Sequence, residues 1–528
     1  MTSTLTTLLM HGAGSLPSSA VRLALHPSLP QFWEPSLQRG AACTPPTPLS
    51  KTGPNAMLIG DSISMGSSGY SLFVQSMMET MTSGTLVGSL QHGGGFGNGG
   101  QMASSANGVA KVSSCIGNGT GTLAPKAWSV ITYNAGLHDC DTHERVKAAD
   151  YTANLKGIFE TMKPAAHTAV FVTTTPYDMP LDKDGNPPLP AGINMSCVVE
   201  YNEIAKSIAN EVGGIVVLDL YAYVESFCQA FPKDNATSGY GGNYTTCAIQ
   251  TTGLHFFDAA PLPSGQQYTA FAIASAVARG LPASDIVNTT TPPVAAAPTA
   301  EDSTASCGTA TAALNPKLPN VMVVGDALAA QWATPGLYDL LHLSSGIQKR
   351  GALAATQLGG GQAFHSGNPF ATSADAASCV SQWLSGGKFD VIVLSSFGAA
   401  DCAAGVQYQY HANYVQKIYD AAKAALAPGG TILWTTSPPS GTGVLEVDPA
   451  CVAKQDAAAL KVLAGKVTVR DFAAALGGVC GKSFKQCNLV QWSKTALTDA
   501  GAQFAAIEAA AGISPLLAPK WLALTTKK

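Results

Sequence analysis

Ser62 closes the apolar run Met57-Leu-Ile-Gly-Asp-Ser, and His255 closes Thr252-Gly-Leu-His ahead of a helix-like stretch. A serine hydroxyl is weakly nucleophilic until a base takes its proton, and imidazole is the side chain suited to that task near neutral pH. The pair is therefore a candidate for covalent catalysis. Two further segments can supply donors to a developing negative charge. Phe96-Gly-Asn-Gly-Gly-Gln101 is rich in glycine, which lets backbone N–H groups approach a ligand closely. Trp128-Ser-Val-Ile-Thr-Tyr-Asn-Ala-Gly-Leu-His-Asp139 is an apolar run ending in a polar turn. Each motif also has a plain structural reading: a turn with a cap, a surface loop, a histidine that only packs. Asp139, Asp141 and His143 can be read as cation ligands or as a solvated turn, and the turn is the expectation, with no metal.

These segments are positioned by a duplicated framework. Twelve cysteines form two sets of six, Cys43, Cys115, Cys140, Cys197, Cys228 and Cys247, then Cys307, Cys379, Cys402, Cys451, Cys480 and Cys487. Cys43 to Cys115 and Cys307 to Cys379 each span 72 positions, and the sets start 264 positions apart in a chain of 528 residues. The chain is one unit written twice. In each copy, short β-branched runs alternate with longer helical stretches, as expected of a parallel sheet covered by helices on both faces. The first copy has expected strands at 56–60, 85–90, 128–133, 168–174 and 214–218, with helices at 148–162 and 199–212. The second has strands at 320–325, 346–349, 389–396, 429–436 and 467–472. The Thr-, Pro- and Ala-rich stretch around 285–318 reads as a linker. The expected organisation is a leader or disordered arm (1–42), a first domain (43–284), the linker (285–318) and a second domain (319–528).

Taken in order, Gly60-Asp-Ser62, the glycine-rich segment, Gly136-Leu-His-Asp139 and the His255 segment resemble the SGNH (GDSL-type) hydrolase family, and the resemblance extends over both copies. It implies two flavodoxin-like three-layer α/β/α domains in tandem, hydrolysis of carboxylic esters and no cofactor. It implies Ser62 as nucleophile and His255 as base. Its oxyanion hole falls on the backbone of Ser62 and Gly100, and on His138, which stands where the family has asparagine. Asn134 is a fallback donor. The family's acid, three residues before the histidine, is here Thr252. The expectation is a Ser62–His255 dyad, with Thr252, a backbone carbonyl or Asp258 left to orient the ring.

The second copy serves as an internal comparison. Ala327 replaces Ser62, Ala400 replaces His138, and the stretch near Trp492–Thr495 has no histidine, while Gly361 and all six cysteines remain. The second domain is expected to fold and to be catalytically silent. Two rival readings are a non-catalytic binding or structural protein made of two such domains, and an acyltransferase on the same scaffold.

Composition narrows the partners. Charged residues make up 12% and the net charge is −4, which offers no basic face to nucleic acid. No unbroken apolar run reaches membrane-spanning length. The paired cysteines suggest disulfides of open connectivity, hence an oxidising compartment, and sequons at Asn118, Asn194, Asn235, Asn243 and Asn288 agree with secretion. The expected substrate is a small or polysaccharide-borne ester.

Overall fold

The computed structural model describes residues 49, 54–64, 69–80, 89–94, 104–117, 125–141, 145–176, 193, 195–229, 249, 255–256, 265–282 and 285 of the first half. In the second half it describes 314, 319–333, 337, 340, 355–359, 372–437, 447–481, 487, 489–491 and 496–520. The expected leader, all but two positions of the linker and the five sequon asparagines lie outside these residues.

The first unit runs β1 (Asn55–Gly60), α1 (Ser71–Thr80), β2 (Ser89–Gly94), α2 (Ser105–Ile116), β3 (Trp128–Asn134), α3 (Ala148–Ala165), β4 (Ala166–Val172), α4 (Met195–Val212), β5 (Ile215–Leu218), α5 (Leu220–Cys228) and α6 (Gly265–Gly280). The second runs β6 (Asn320–Val324), α7 (Ala327–Trp332), β7 (Ala355–Gly359), α8 (Ser373–Trp383), β8 (Phe389–Ser395), α9 (Gly398–Ala403), α10 (Tyr408–Ala424), β9 (Leu426–Thr435), α11 (Pro449–Leu463), β10 (Thr468–Arg470), α12 (Phe472–Cys480), a short β11–β12 pair (Val490–Gln491 and Ala496–Leu497) and α13 (Asp499–Ile513). The sheets are wholly parallel, ordered β2-β1-β3-β4-β5 and β7-β6-β8-β9-β10. Every residue of β1, β3, β6 and β8 is buried, as helices on both faces require. The chain thus holds two α/β/α units with the same strand order, which reverses between the first and third strands.

Several boundaries differ from the sequence expectation. The second strand is Ser89–Gly94 rather than 85–90, because it pairs residue for residue with β1, from Asn55↔Ser89 to Gly60↔Gly94. Residues 85–88 lie outside the described residues. In the second unit the equivalent strand is Ala355–Gly359; 346–349 lies outside the described residues. β4 ends at Val172, since Thr173 and Thr174 serve neighbouring helices: Thr173 Oγ1 accepts the Tyr221 N–H, and the Thr174 N–H donates to Asn202 Oδ1.

Disulfides join Cys140 to Cys197, Cys402 to Cys451 and Cys480 to Cys487. The first two are equivalent, each tying the turn after the third strand to the helix after the fourth. Cys115, Cys228 and Cys379 are also disulfide-bonded. Residues Ala500–Lys520 are long and apolar enough to cross a membrane, but 72% of that stretch is buried within the protein, the mark of a core helix.

The two units meet through their last helices. Within α6 only Ala276 and Arg279 escape full burial, because α6 packs on its own sheet and against α12 and α13 of the second unit. At this seam the carboxylate of Glu508, fully buried on α13, accepts hydrogen bonds from Ser275 Oγ (2.5 Å), Arg279 Nε (2.8 Å) and Arg470 Nε (2.8 Å), and pairs further with both guanidinium groups. Burial pushes its pKa up; the hydrogen bond from Arg279 and the charges of Arg470 and Arg279 outweigh that and hold it below the ordinary value. Removing one member of a buried ion group leaves uncompensated charge, which typically costs about 3–5 kcal/mol. Glu508→Ala should therefore destabilise the chain by an amount of that order in chemical denaturation, and a midpoint within error of wild type would show that the seam does not depend on this group.

A second test comes from comparing the copies. Asn202 on α4 accepts the Thr174 N–H (3.0 Å) and donates to the Thr174 carbonyl (3.1 Å). In the second unit Asp456 takes this place, accepting from Ser437 N–H (3.2 Å) and from Ser396 Oγ. Burial drives Asp456 up to about 7, against the pull of those hydrogen bonds and with the help of nearby Asp471 and Asp326. A carboxyl raised in the folded state costs nothing at low pH, costs progressively more from about pH 4 to pH 7, and costs a constant amount above. Asp456→Asn should accordingly stabilise the protein by about 1–3 kcal/mol at pH 8 and by little at pH 4, in denaturation at the two pH values. An equal effect at both would refute the assignment.

Candidate active site

Open α/β sheets bind ligands beyond the carboxyl ends of their strands, where strand order reverses. In the first unit that place lies between β1 and β3. Gly60 ends β1 so close to its neighbours that a Cβ there would lie 2.6 Å from Ser64 Oγ and 3.2 Å from Asn134 Cβ. The chain then folds into a turn. The N–H and the hydroxyl of Ser64 both donate to the Asp61 carbonyl (3.1 and 2.8 Å), and the Ile63 N–H donates to Asp61 Oδ1 (2.9 Å). Ser62 sits in this turn, not at the start of a helix as its sequence context suggests: α1 begins only at Ser71.

Across the rim, His255 Nε2 lies 2.9 Å from Ser62 Oγ, although the two residues are 193 positions apart. Both side chains are partly exposed and so within reach of a ligand. If the ring proton is on Nδ1, Nε2 can accept the serine proton. Burial lowers the His255 pKa below its ordinary value; the charge of Asp61 opposes this and that of His138 adds to it. The ring is therefore biased to the neutral form that a base requires.

His138 follows β3 in a 3-10 turn (His138–Cys140) fixed by the Cys140–Cys197 disulfide. Its charge acts on both Asp61 and His255, lowering the pKa of each. Asn134 is not available as a fallback donor. Its Nδ2 donates to the Val172 and Thr173 carbonyls (3.0 and 3.1 Å), so it belongs to the sheet. Gly100, Thr252 and Asp258 lie outside the described residues, as do Gly361 and His143.

Asp139 is not in a solvated turn. It is fully buried and accepts from the Ser105 N–H (2.9 and 3.1 Å) and hydroxyl (2.6 Å), closing the start of α2. Burial, only partly offset by those hydrogen bonds, lifts it to about 6. Asp401 does the same for Ser373 in the second unit. Asp141 bridges to Ile193. Among the described residues no three His, Cys, Asp or Glu side chains are placed to hold a metal ion.

Sequence reasoning passed over Asp61 as a chemical group. It is buried with Oδ2 meeting no hydrogen-bond donor among the described residues. Burial raises its pKa, against His138, the Ile63 N–H and His255. The signal for it was present: the copies share Gly-Asp, with Asp326 at the same place.

The second unit repeats the framework. Asp326 precedes Ala327, which has no hydroxyl and here does begin a helix, and Ala400 stands where His138 would be. The loose alignment of the His255 segment now has fixed ends. A Cβ on Gly265 would lie 1.8 Å from the Ile249 carbonyl oxygen, and one on Gly501 would lie 1.9 Å from that of Leu489, so the two pairs are equivalent. Between Leu489 and Gly501 the sequence is four residues shorter and contains no histidine.

No protein-family model matches the chain, and no curated protein matches it either. Solved structures similar to part of it include a lipase/acylhydrolase from Enterococcus faecalis (15% identity, 42% of this chain and 95% of that one, TM-score 0.28). Others are Axe2, an acetylxylan esterase from Geobacillus stearothermophilus (16% identity, 44% and 95%, TM-score 0.29), and LAE5, an alpha/beta hydrolase enzyme from the metagenome of Lake Arreo, Spain (14% identity, 43% and 95%, TM-score 0.29).

The site makes a prediction that needs no substrate. In a histidine-selective NMR titration, His255 should show an apparent pKa below 6.5, and its resonance should be assignable by its loss in His255→Gln. A value above 6.5 would contradict the burial of the ring.

Proposed function

We propose that the chain is a serine-dependent carboxylic ester hydrolase acting through an acyl-enzyme on Ser62. The observation that carries this reading is the 2.9 Å approach of Ser62 Oγ to His255 Nε2 at the β1/β3 switch point. A hydroxyl and an imidazole from distant segments, both open to ligand, have little packing reason to meet there. The second unit folds on the same plan with neither at those places.

The roles follow from the chemistry. Ser62 Oγ attacks the acyl carbon as its proton passes to His255 Nε2. Backbone N–H groups of Ser62 and Gly100, with His138, receive the oxyanion; one such donor is commonly worth about 10²–10³ in kcat. His255 then gives its proton to the departing alcohol, and a water, activated by the same ring, releases the acid. An imidazole N–H can replace the family's asparagine amide in the hole when the ring is neutral and in the right tautomer. Thr252 or Asp258 would orient the ring. The substrate class is an acyl or acetyl ester, small or carried on a polysaccharide, in keeping with the chain's low charge. The second domain is catalytically silent, and the disulfides favour an extracytoplasmic setting.

The test is covalent labelling with a fluorophosphonate together with hydrolysis of p-nitrophenyl acetate. Wild type should react in both. Ser62→Ala should abolish labelling, and Ser62→Ala and His255→Ala should each lower kcat by about 10³-fold or more. An inert wild type on a broad ester panel would favour the non-catalytic reading. Ester product on a carbohydrate acceptor would indicate acyl transfer.

A further inference from the structure

We infer that Asp61 is a positioning residue for the Ser62–His255 pair, its buried carboxylate supplying the negative charge that favours the imidazolium formed when His255 takes the serine proton. This role rests on Ser62 and His255 working as proposed above, and it assigns a group that the resemblance leaves without chemistry.

Four observations support it. The first is placement. Asp61 is joined to the nucleophile by one peptide bond, and the turn that presents Ser62 also fixes Asp61 through the Ile63 N–H and the two bonds to its own carbonyl. The second is dryness. Asp61 is 1% exposed and its Oδ2 meets no donor among the described residues. A carboxylate with an unsatisfied oxygen, away from water, interacts strongly with any charge that develops nearby.

The third is its surroundings. Among the described residues, the charged or titratable groups acting on Asp61 or acted on by it include His255, His138 after β3, Tyr70 ahead of α1, and Tyr133 in β3. Burial holds both phenols in the neutral form, with Asp61 pushing the same way. The two imidazoles are therefore the groups whose charge can answer it. Asp61 raises the pKa of His255, and His255 and His138 lower that of Asp61.

The fourth is the other copy. Asp326 accepts from two amides, Leu328 (3.0 Å) and Ala329 (3.3 Å), and so caps α7. Asp61 accepts from the Ile63 N–H (2.9 Å), and no second amide like that of Ala329 bonds it among the described residues. Where histidines are present the aspartate holds one amide; where they are absent it holds two and opens a helix. A purely structural cap would have no reason to differ in this direction.

The proton account closes without Asp61 as donor or acceptor. The Oγ–H bond breaks and the Oγ–acyl bond forms; the bond from the acyl carbon to the alcohol oxygen then breaks as the proton held on His255 passes to that oxygen, and Asp61 neither gains nor loses a proton in either step. Nothing here depends on what meets Nδ1 of His255.

Asp61→Asn in the full chain keeps an oxygen for the Ile63 N–H and removes the charge. With a melting curve to verify folding, kcat/KM for p-nitrophenyl acetate should fall about tenfold or more at pH 7. The acid limb of the profile should move to lower pH by about one unit, because the imidazole loses a neighbouring negative charge. The rate of fluorophosphonate labelling should fall in parallel. Asp61→Ser, which also keeps an acceptor without charge, is read the same way if the asparagine variant does not fold. Asp326→Asn should alter stability alone and leave the limb in place. An active wild type whose Asp61→Asn variant keeps both rate and limb would overturn the role of Asp61 while leaving the dyad intact. An inert wild type would overturn the dyad itself.

Discussion

The rim of the first unit depends on how closely β1 approaches β3 at their carboxyl ends. Gly60 admits no side chain there, and the turn that follows closes on the Asp61 carbonyl, with Ser62 partly exposed within it. The second unit obeys the same constraint. A Cβ on Gly325 would lie 2.5 Å from Ala329 Cβ and 2.6 Å from Ser395 Cβ, yet no hydroxyl follows. The tight approach is thus a property of the parallel sheet and its strand order, and the candidate chemistry is carried by a few side chains placed on a rim that forms without them.

The histidine is held from the other side of the domain. It precedes α6, and Gln266 Nε2 at the start of that helix donates to the Phe256 carbonyl (3.3 Å), directly beside His255. α6 is in turn clamped between its own sheet and the last helices of the second unit, with Glu508 binding Ser275, Arg279 and Arg470 at the seam. Tyr223 Oη adds a bond to the Ala511 carbonyl (3.1 Å) and Gln267 Nε2 one to the Leu340 carbonyl (2.8 Å). The second unit therefore bears on the site through α6, the helix that follows the histidine segment.

Much of this was legible in the sequence. The cysteine spacing fixed the duplication, and apolar runs of parallel-sheet type located eight of ten strands to within a few residues. Ser62 and His255 were found from short motifs whose order, more than their content, was informative. The misses have local causes. Ser89–Gly94 and Ala355–Gly359 are poor in β-branched residues and gain their strand character from pairing with β1 and β6, which propensity does not register. Asp139 looked like part of a wet turn because its partner, Ser105, is 34 positions away. Ser62 looked like a helix start because Gly-Asp-Ser directly follows a strand, where an α/β unit ordinarily opens its next helix. The equivalence of Ile249 with Leu489 was invisible because it is carried by a backbone carbonyl over a glycine.

The buried acids of the two copies differ in a way that bears on what each unit retains. Asp61 and Asp326 occupy one position, and burial raises both; Asp326 reaches about 7, with its two capping amides pulling down and Asp401 pushing up. Around Asp61 the opposing charges are imidazoles. Around Asp326 further carboxyls, Asp401 and Asp456, press the other way. An acid without a cationic neighbour is held as a neutral group at moderate pH and can serve only through its hydrogen bonds. An acid with imidazoles among its neighbours has groups that pull its pKa back down against burial, and whose charge it can favour in turn. On the role inferred above, an aspartate present in both copies biases a proton on a neighbouring ring in the first and closes the first turn of a helix in the second.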